Sequence, residues 1–168
     1  MNEPIKRHYP VPQKLGASKL RNLGSLVVFA ALVVLAGSSG SLFMPGEWYA
    51  ALNKPAWTPP NWAFPVAWTV LYIMIAIAGW LAWRSGGWTP AIRAWGAGLL
   101  LNALWSYVMF DRHDIALALV DLCALWATIV VFIVTAWPIS RAASYLFLPY
   151  LAWVTFAGAL NFAVWQMN

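Results

Sequence analysis

The sequence predicts an all-α integral membrane protein, a bundle of five transmembrane helices, and three observations carry that expectation. The chain is 62% hydrophobic and only 9% charged, where an ordinary soluble domain is about 45–50% apolar and about 25% charged. The apolar residues gather into five runs, near 22–44, 62–83, 90–110, 115–137 and 142–165, each close to the roughly 20 residues that a helix needs to cross a hydrocarbon layer of about 30 Å. The runs are continuously apolar and lack the alternation of barrel strands, so helices are what satisfy the backbone in lipid. Residues 22–168 then form one membrane domain, and 1–21 a basic, proline-containing leader expected to be flexible.

The first run follows Lys6, Arg7, Lys14, Lys19 and Arg21. A basic leader, an apolar segment and the small residues Ala36-Gly37-Ser38 also fit a secretory signal. The leader's 21 residues are long for one, however, and apolar character resumes at Leu42-Phe43-Met44, which favours a retained span. Between the first and second runs stands WYAALNKPAWTPPNWAFP, residues 48–65, with five aromatics and four prolines. Proline prevents a plain helix there, so the segment reads as a rigid aromatic loop. Arg84 and Arg93 border the next loop and Arg141 the last, leaving only Lys54 and Arg112 on the opposite side. That split predicts a cytoplasmic N-terminus and an external C-terminus, in a bacterial cell membrane or its equivalent. The net charge of +5 therefore marks topology, and no nucleic-acid partner is expected.

Inside the spans, polar and aromatic residues that share a helical face are expected to point away from lipid. The second run places Trp68, Tyr72, Ala76, Gly79 and Trp83 on one stripe, and the third groups Asn102, Trp105 and Ser106. Tyr150, Trp153, Ala157 and Asn161 share a face of the fifth. Asp121 is the only carboxylate deep in a span, and a charge there costs about 2.5–3.5 kcal/mol on insertion scales. It must be bonded to a Trp N–H or Ser hydroxyl of a neighbouring helix, or serve a ligand or a proton directly. Trp62, Trp83, Trp88, Trp137 and Trp165 lie near span ends, where interfacial anchoring is the expected role. Ala94 and Gly98 form a small-xxx-small pair that can seat a second helix, so a homodimer through the third span is an expectation.

Conventional catalysis finds little material. The two histidines, His8 and His113, have no partner at metal-ligand spacing, so no metal site is expected. Neither a GxSxG elbow nor a glycine-rich phosphate loop occurs. The five carboxylates offer no intramembrane pair for acid/base work. The single Cys123 excludes an intramolecular disulfide. What remains is aromatic wall, a few orienting polar groups and a proline-rich cover, which suit a flat apolar ligand.

The segments WYAALNKPAWTPPNWAFPVAWTVLY, LNALWSYVMF and PYLAWVTFAGALNF occur in that order, and the chain from about residue 37 onward resembles the translocator protein family, also called tryptophan-rich sensory protein or TspO/MBR. The resemblance implies a five-helix bundle, commonly dimeric, with a ligand cavity beneath the first loop. It implies porphyrins, protoporphyrin IX or haem, as ligands, with no obligatory cofactor. By motif, Trp48, Tyr49, Pro55, Trp57, Pro59 and Pro60 would form a lid over the cavity. Trp68, Tyr72, Asn102, Trp105, Ser106, Trp153 and Ala157 would line it. The chain departs from the family's C-terminal sterol-recognition pattern, because Phe162 stands where a tyrosine is required and no basic residue follows. Three functions are compatible with these residues: a porphyrin-binding receptor or sensor, a transporter of tetrapyrroles or sterols, and a light-dependent porphyrin-degrading enzyme using Trp68 and Trp153. The first is preferred, since neither paired ionisable groups nor catalytic constellations are present.

Overall fold

The computed structural model describes residues 15–168, with side chains described from Asn22 onward. Among the described residues every regular element is helical: α1 (Leu15–Gly37), α2 (Ser39–Leu42), α3 (Glu47–Ala51), α4 (Ala63–Gly86), α5 (Pro90–Ser106), α6 (Ile115–Ala136) and α7 (Arg141–Met167). Helix α1 begins at Leu15, inside the stretch read as leader, while residues 1–14 and their expected flexibility lie outside the described residues.

The ends of these helices are written locally. Pro90 occupies the first turn of α5 after Thr89, where its missing N–H costs nothing. Asp114 and Ser140 cap α6 and α7 by accepting from Leu117 N and Ala143 N, at 2.9 and 3.4 Å. Gly87 ends α4 with φ +63°, a conformation that favours glycine. Several hydroxyls within the spans bond carbonyls of their own helix, as Thr69 does to Pro65, Thr135 to Val131 and Thr155 to Leu151. In lipid this removes a polar group that would otherwise need an external partner.

Four stretches are long and apolar enough to cross a membrane: Asn22–Leu42, Ala63–Gly86, Ile115–Ala136 and Arg141–Met167. The third expected span differs from the other four. Its α-helix has 17 residues, the lower edge of what a crossing requires, and is continued by a π-turn over Tyr107–Asp111. The Arg112 N–H to Tyr107 carbonyl bond, at 3.0 Å, shows that five-residue step.

The long helices close into a ring in the order α1, α4, α7, α6, α5 and back to α1. Consecutive long helices run antiparallel, as paired contacts at both ends show: Trp80 with Asn22 and Ser25, and Gly37 with Tyr72, for α1 and α4; Ser144 with Ile133, and Asn161 with Ile115, for α6 and α7.

Small residues set how closely the helices approach. The Trp95 indole of α5 lies against Gly79 of α4 and donates to the Ile75 carbonyl at 2.9 Å. A Cβ at Gly79 would stand 2.5 Å from that indole and 2.9 Å from Phe29. Phe132 of α6 stacks on Phe147 of α7 at 3.8 Å between ring centroids. Ala94 and Gly98 are likewise buried within the chain, and a Cβ built at Gly98 would stand 3.2 Å from the Thr128 hydroxyl of α6. Within one chain, then, this small-residue pair serves the contact between α5 and α6.

Gly79→Ala should lower the melting temperature in detergent, at a cost of roughly 1–3 kcal/mol from overpacking. Gly96, with nothing within 4 Å of a built Cβ, should accept alanine without loss.

Candidate functional site

The polar residues of α4, α5 and α7 meet in the middle of the bundle. Tyr72 Oη donates to Asn102 Oδ1 at 3.1 Å, and Asn102 Nδ2 donates to Tyr150 Oη at 3.1 Å. One asparagine thus ties three helices and satisfies both ends of its amide. Towards the loop end, Trp105 Nε1 donates to Asn161 Oδ1 at 3.3 Å, while Asn161 Nδ2 donates to the Ile115 carbonyl at 2.9 Å. That carbonyl lies in the first turn of α6.

Around the inner asparagine stands an aromatic box. Trp68 stacks on Tyr72 at 5.2 Å between ring centroids and meets Tyr150 and Trp153 edge-on at 6.2 and 6.4 Å. Phe64, one turn before Trp68, packs edge-on against Trp153 at 6.0 Å. The rings are packed on one another. Beside them, a groove of about 510 Å³ runs along the outer seam of α4 and α7, lined by Val66, Val70, Pro149, Ala152, Trp153 and Phe156. Pro149 contributes to its shape, since a proline inside a helix cannot bond the carbonyl four residues back and displaces the preceding turn. Trp153 therefore faces the box on one side and the groove on the other.

The aromatic loop does not act as one piece. Its first part, α3, lies over the ends of α5 and α6: Trp48 stacks on His113 at 4.2 Å, and Tyr49 meets Phe110 edge-on at 5.3 Å. Burial pushes the Tyr49 hydroxyl above its ordinary pKa and keeps it neutral. His113 holds its position with φ +56°, a left-handed conformation that histidine tolerates better than most side chains. The second part crosses α7, where Trp57 meets Phe156 at 5.8 Å. Pro59 is half-buried on the way to α4. Trp48 and Tyr49 thus cover the Trp105 end of the site, with Phe110 between, and Trp57 covers the Trp153 end.

Two devices fix the corner between those parts. Lys54 Nζ donates to the carbonyls of Tyr49, Ala50 and Leu52, closing the end of α3. Asn53 and Asn168 pair reciprocally: Asn53 N donates to Asn168 Oδ1 at 2.9 Å, and Asn168 Nδ2 donates to the Asn53 carbonyl at 3.0 Å. The sequence did not point to either. A lone lysine and two asparagines 115 positions apart carry no periodicity.

Trp68, Tyr72, Asn102, Trp105, Trp153 and Asn161 come together as expected. Ser106 is buried on the same turn as Asn102, and Ala157 packs against the core beside Trp153. Tyr150 proves central. Asp121 departs from the structural reading of the sequence. It is buried, but neither a Trp N–H nor a Ser hydroxyl reaches it, because Trp105 bonds Asn161 and Trp126 bonds Thr155 instead. Trp62, Trp83, Trp88, Trp137 and Trp165 are all exposed, as interfacial anchors should be. No three metal-ligating side chains cluster among the described residues.

A profile of the TspO/MBR family matches residues 28–166. The chain belongs to that family. It is 41% identical over 152 residues to the "Tryptophan-rich protein TspO" of Archaeoglobus fulgidus, covering 88% of this chain and 99% of the relative. It is 39% identical over 151 residues to "Protein CrtK" of Rhodobacter capsulatus, with 86% and 94% covered. The human "Translocator protein" is 35% identical over 137 residues, with 77% and 81% covered. This TspO/MBR chain is accordingly a multi-pass membrane protein, as its apolar helices indicate.

Asn102→Leu should destabilise the bundle markedly, since each tyrosine hydroxyl left unpaired in the core costs about 1–3 kcal/mol. A thermal melt in detergent checks this. Asn168→Ala should leave the melt nearly unchanged and speed amide hydrogen exchange around Asn53.

Proposed function

We propose that this chain is a receptor or sensor-like membrane protein that binds porphyrins, protoporphyrin IX or haem, and related flat apolar ligands at the aromatic box. The observation that carries the reading is the convergence of Trp68, Tyr72, Tyr150 and Trp153 around a single asparagine-centred polar point, beside a groove open along α4 and α7. Flat rings gain from stacking and edge contacts with such side chains. Trp57 of the loop and Phe64 in the first turn of α4 extend the same surface. A large planar ligand enters by parting Trp68 from Trp153 and uses the groove volume beside them. The Asn53–Asn168 pair, at the corner of the cover, is the contact that yields for larger movements of the loop.

On the same reading the cytoplasmic side carries Arg84, Arg93 and Arg141, the loop with Lys54 and Arg112 faces outward, and the membrane is a bacterial cell membrane. A homodimer through the third span, α5, belongs to the same reading.

The test is a titration of protoporphyrin IX against tryptophan fluorescence in detergent, in darkness. Saturable quenching is expected. Trp68→Phe and Trp153→Phe should each weaken binding by about 2–10-fold, the range set by one aromatic contact of roughly 0.5–1.5 kcal/mol. Absence of saturable quenching would overturn the proposal, and unchanged affinity in both variants would remove the box as the site.

A further inference from the structure

Among the described residues two buried side chains lack a hydrogen-bond partner, the Thr89 hydroxyl at the start of α5 and the carboxyl of Asp121 within α6, and only the second can carry a charge. Asp121 is only 6% exposed, and both of its carboxylate oxygens are buried without a hydrogen-bond partner among the described residues. The polar residues of the candidate site are treated differently: Asn102, Asn161, Trp105, Tyr72 and Tyr150 all take part in side-chain bonds. The backbone offers Asp121 no donor, because it sits in the second turn of α6 or beyond, where N–H groups are spent on the helix. Among the described residues no lysine or arginine pairs with it either. The other buried polar residues are Ser39, Asn102, Ser106, Ser144 and Asn161.

The packing register places Asp121 at the level of the candidate site. Gly98 of α5 faces Thr128 of α6; two turns towards the loop end of this antiparallel pair, Asp121 stands level with Trp105. On the other flank, the Ser144–Ile133 and Asn161–Ile115 bonds fix α7 against α6 and set Asp121 between the levels of Val154 and Ala157. Asp121 therefore shares its level in the bundle with Trp105 of α5 and with the stretch of α7 between Val154 and Ala157.

We infer that Asp121 is the polar anchor of the site, and that the ligands it selects are flat apolar ring systems carrying an N–H or protonated-amine donor. The inference rests on the flat-ligand reading above and adds the chemical class. An ionised carboxylate is an acceptor only, and an unpaired one in a low-dielectric interior is strongly unfavourable. A donor on the ligand satisfies it, and such charge-assisted bonds are roughly twice as strong as neutral ones. Acidic substituents are repelled from the same point, so a ligand that carries carboxylates holds them away from the Asp121 level.

The test uses two probes of nearly equal size and shape: 9-aminoacridine, protonated and rich in N–H donors, and acridine, which in mildly alkaline buffer is neutral and has only an acceptor nitrogen. Equilibrium dialysis against the full chain in detergent gives both affinities, with protein-free micelles as the partition control. Wild type should bind 9-aminoacridine at least about tenfold more tightly. In Asp121→Asn that ratio should fall to about one with acridine binding retained. A wild-type ratio near one, or a ratio that persists in the variant, overturns the anchor while acridine binding upholds the flat-ligand site. If neither acridine binds, the anchor is overturned, and the protoporphyrin IX titration decides the flat-ligand reading separately. Should Asp121→Asn fail to fold, the wild-type ratio decides alone.

Discussion

The amide of Asn102 is the interaction on which the rest of this bundle depends. In lipid the apolar faces of helices gain little by leaving one environment for the other, so association rests on close packing and on polar groups that find each other. Asn102 supplies both ends of that requirement, accepting from Tyr72 and donating to Tyr150. It fixes α4, α5 and α7 in rotation about their own axes. Once those rotations are set, Trp68 and Trp153 have no choice but to face each other.

Small residues translate the same constraint into distance. Gly79 admits the Trp95 indole, and Gly37 admits the Tyr72 ring, with built Cβ positions at 2.5 and 2.7 Å from the respective rings. Tyr72 is thus held from behind by α1 and in front by Asn102. The same ring is one wall of the aromatic box. Stability and ligand geometry therefore share residues here, and a change that loosens the α1–α4 contact also moves the binding wall.

The loop adds a third layer of organisation. Proline fixes its backbone angles and deletes donors, so it can lie over an apolar surface without unpaired N–H groups. Its attachment is nonetheless divided between the α5–α6 end, through the Trp48–His113 stack, and α7, through Trp57 and Phe156. The corner at Asn53 and Lys54 joins the halves. Rigid covers of this kind move at their corners.

Much of this was legible in the letters. Continuous apolar runs fixed the all-helical membrane class, because lipid leaves no other solution for the backbone, and three- and four-residue steps picked out Trp68, Tyr72, Trp105, Trp153 and Asn161 as facing inward. The caps at Asp114 and Ser140 and the proline that opens α5 each act within one helical turn. Tertiary structure alone decided which small residues meet a neighbour within the chain: Gly98 is spent on α6, a matter of helix order around the ring that periodicity does not encode. It also decided the partners of polar groups. Trp105 bonds Asn161, Asn53 bonds Asn168, and Asp121 bonds nothing, because a hydrogen bond is settled by ångströms between helices, whereas sequence spacing settles only the face from which a side chain departs.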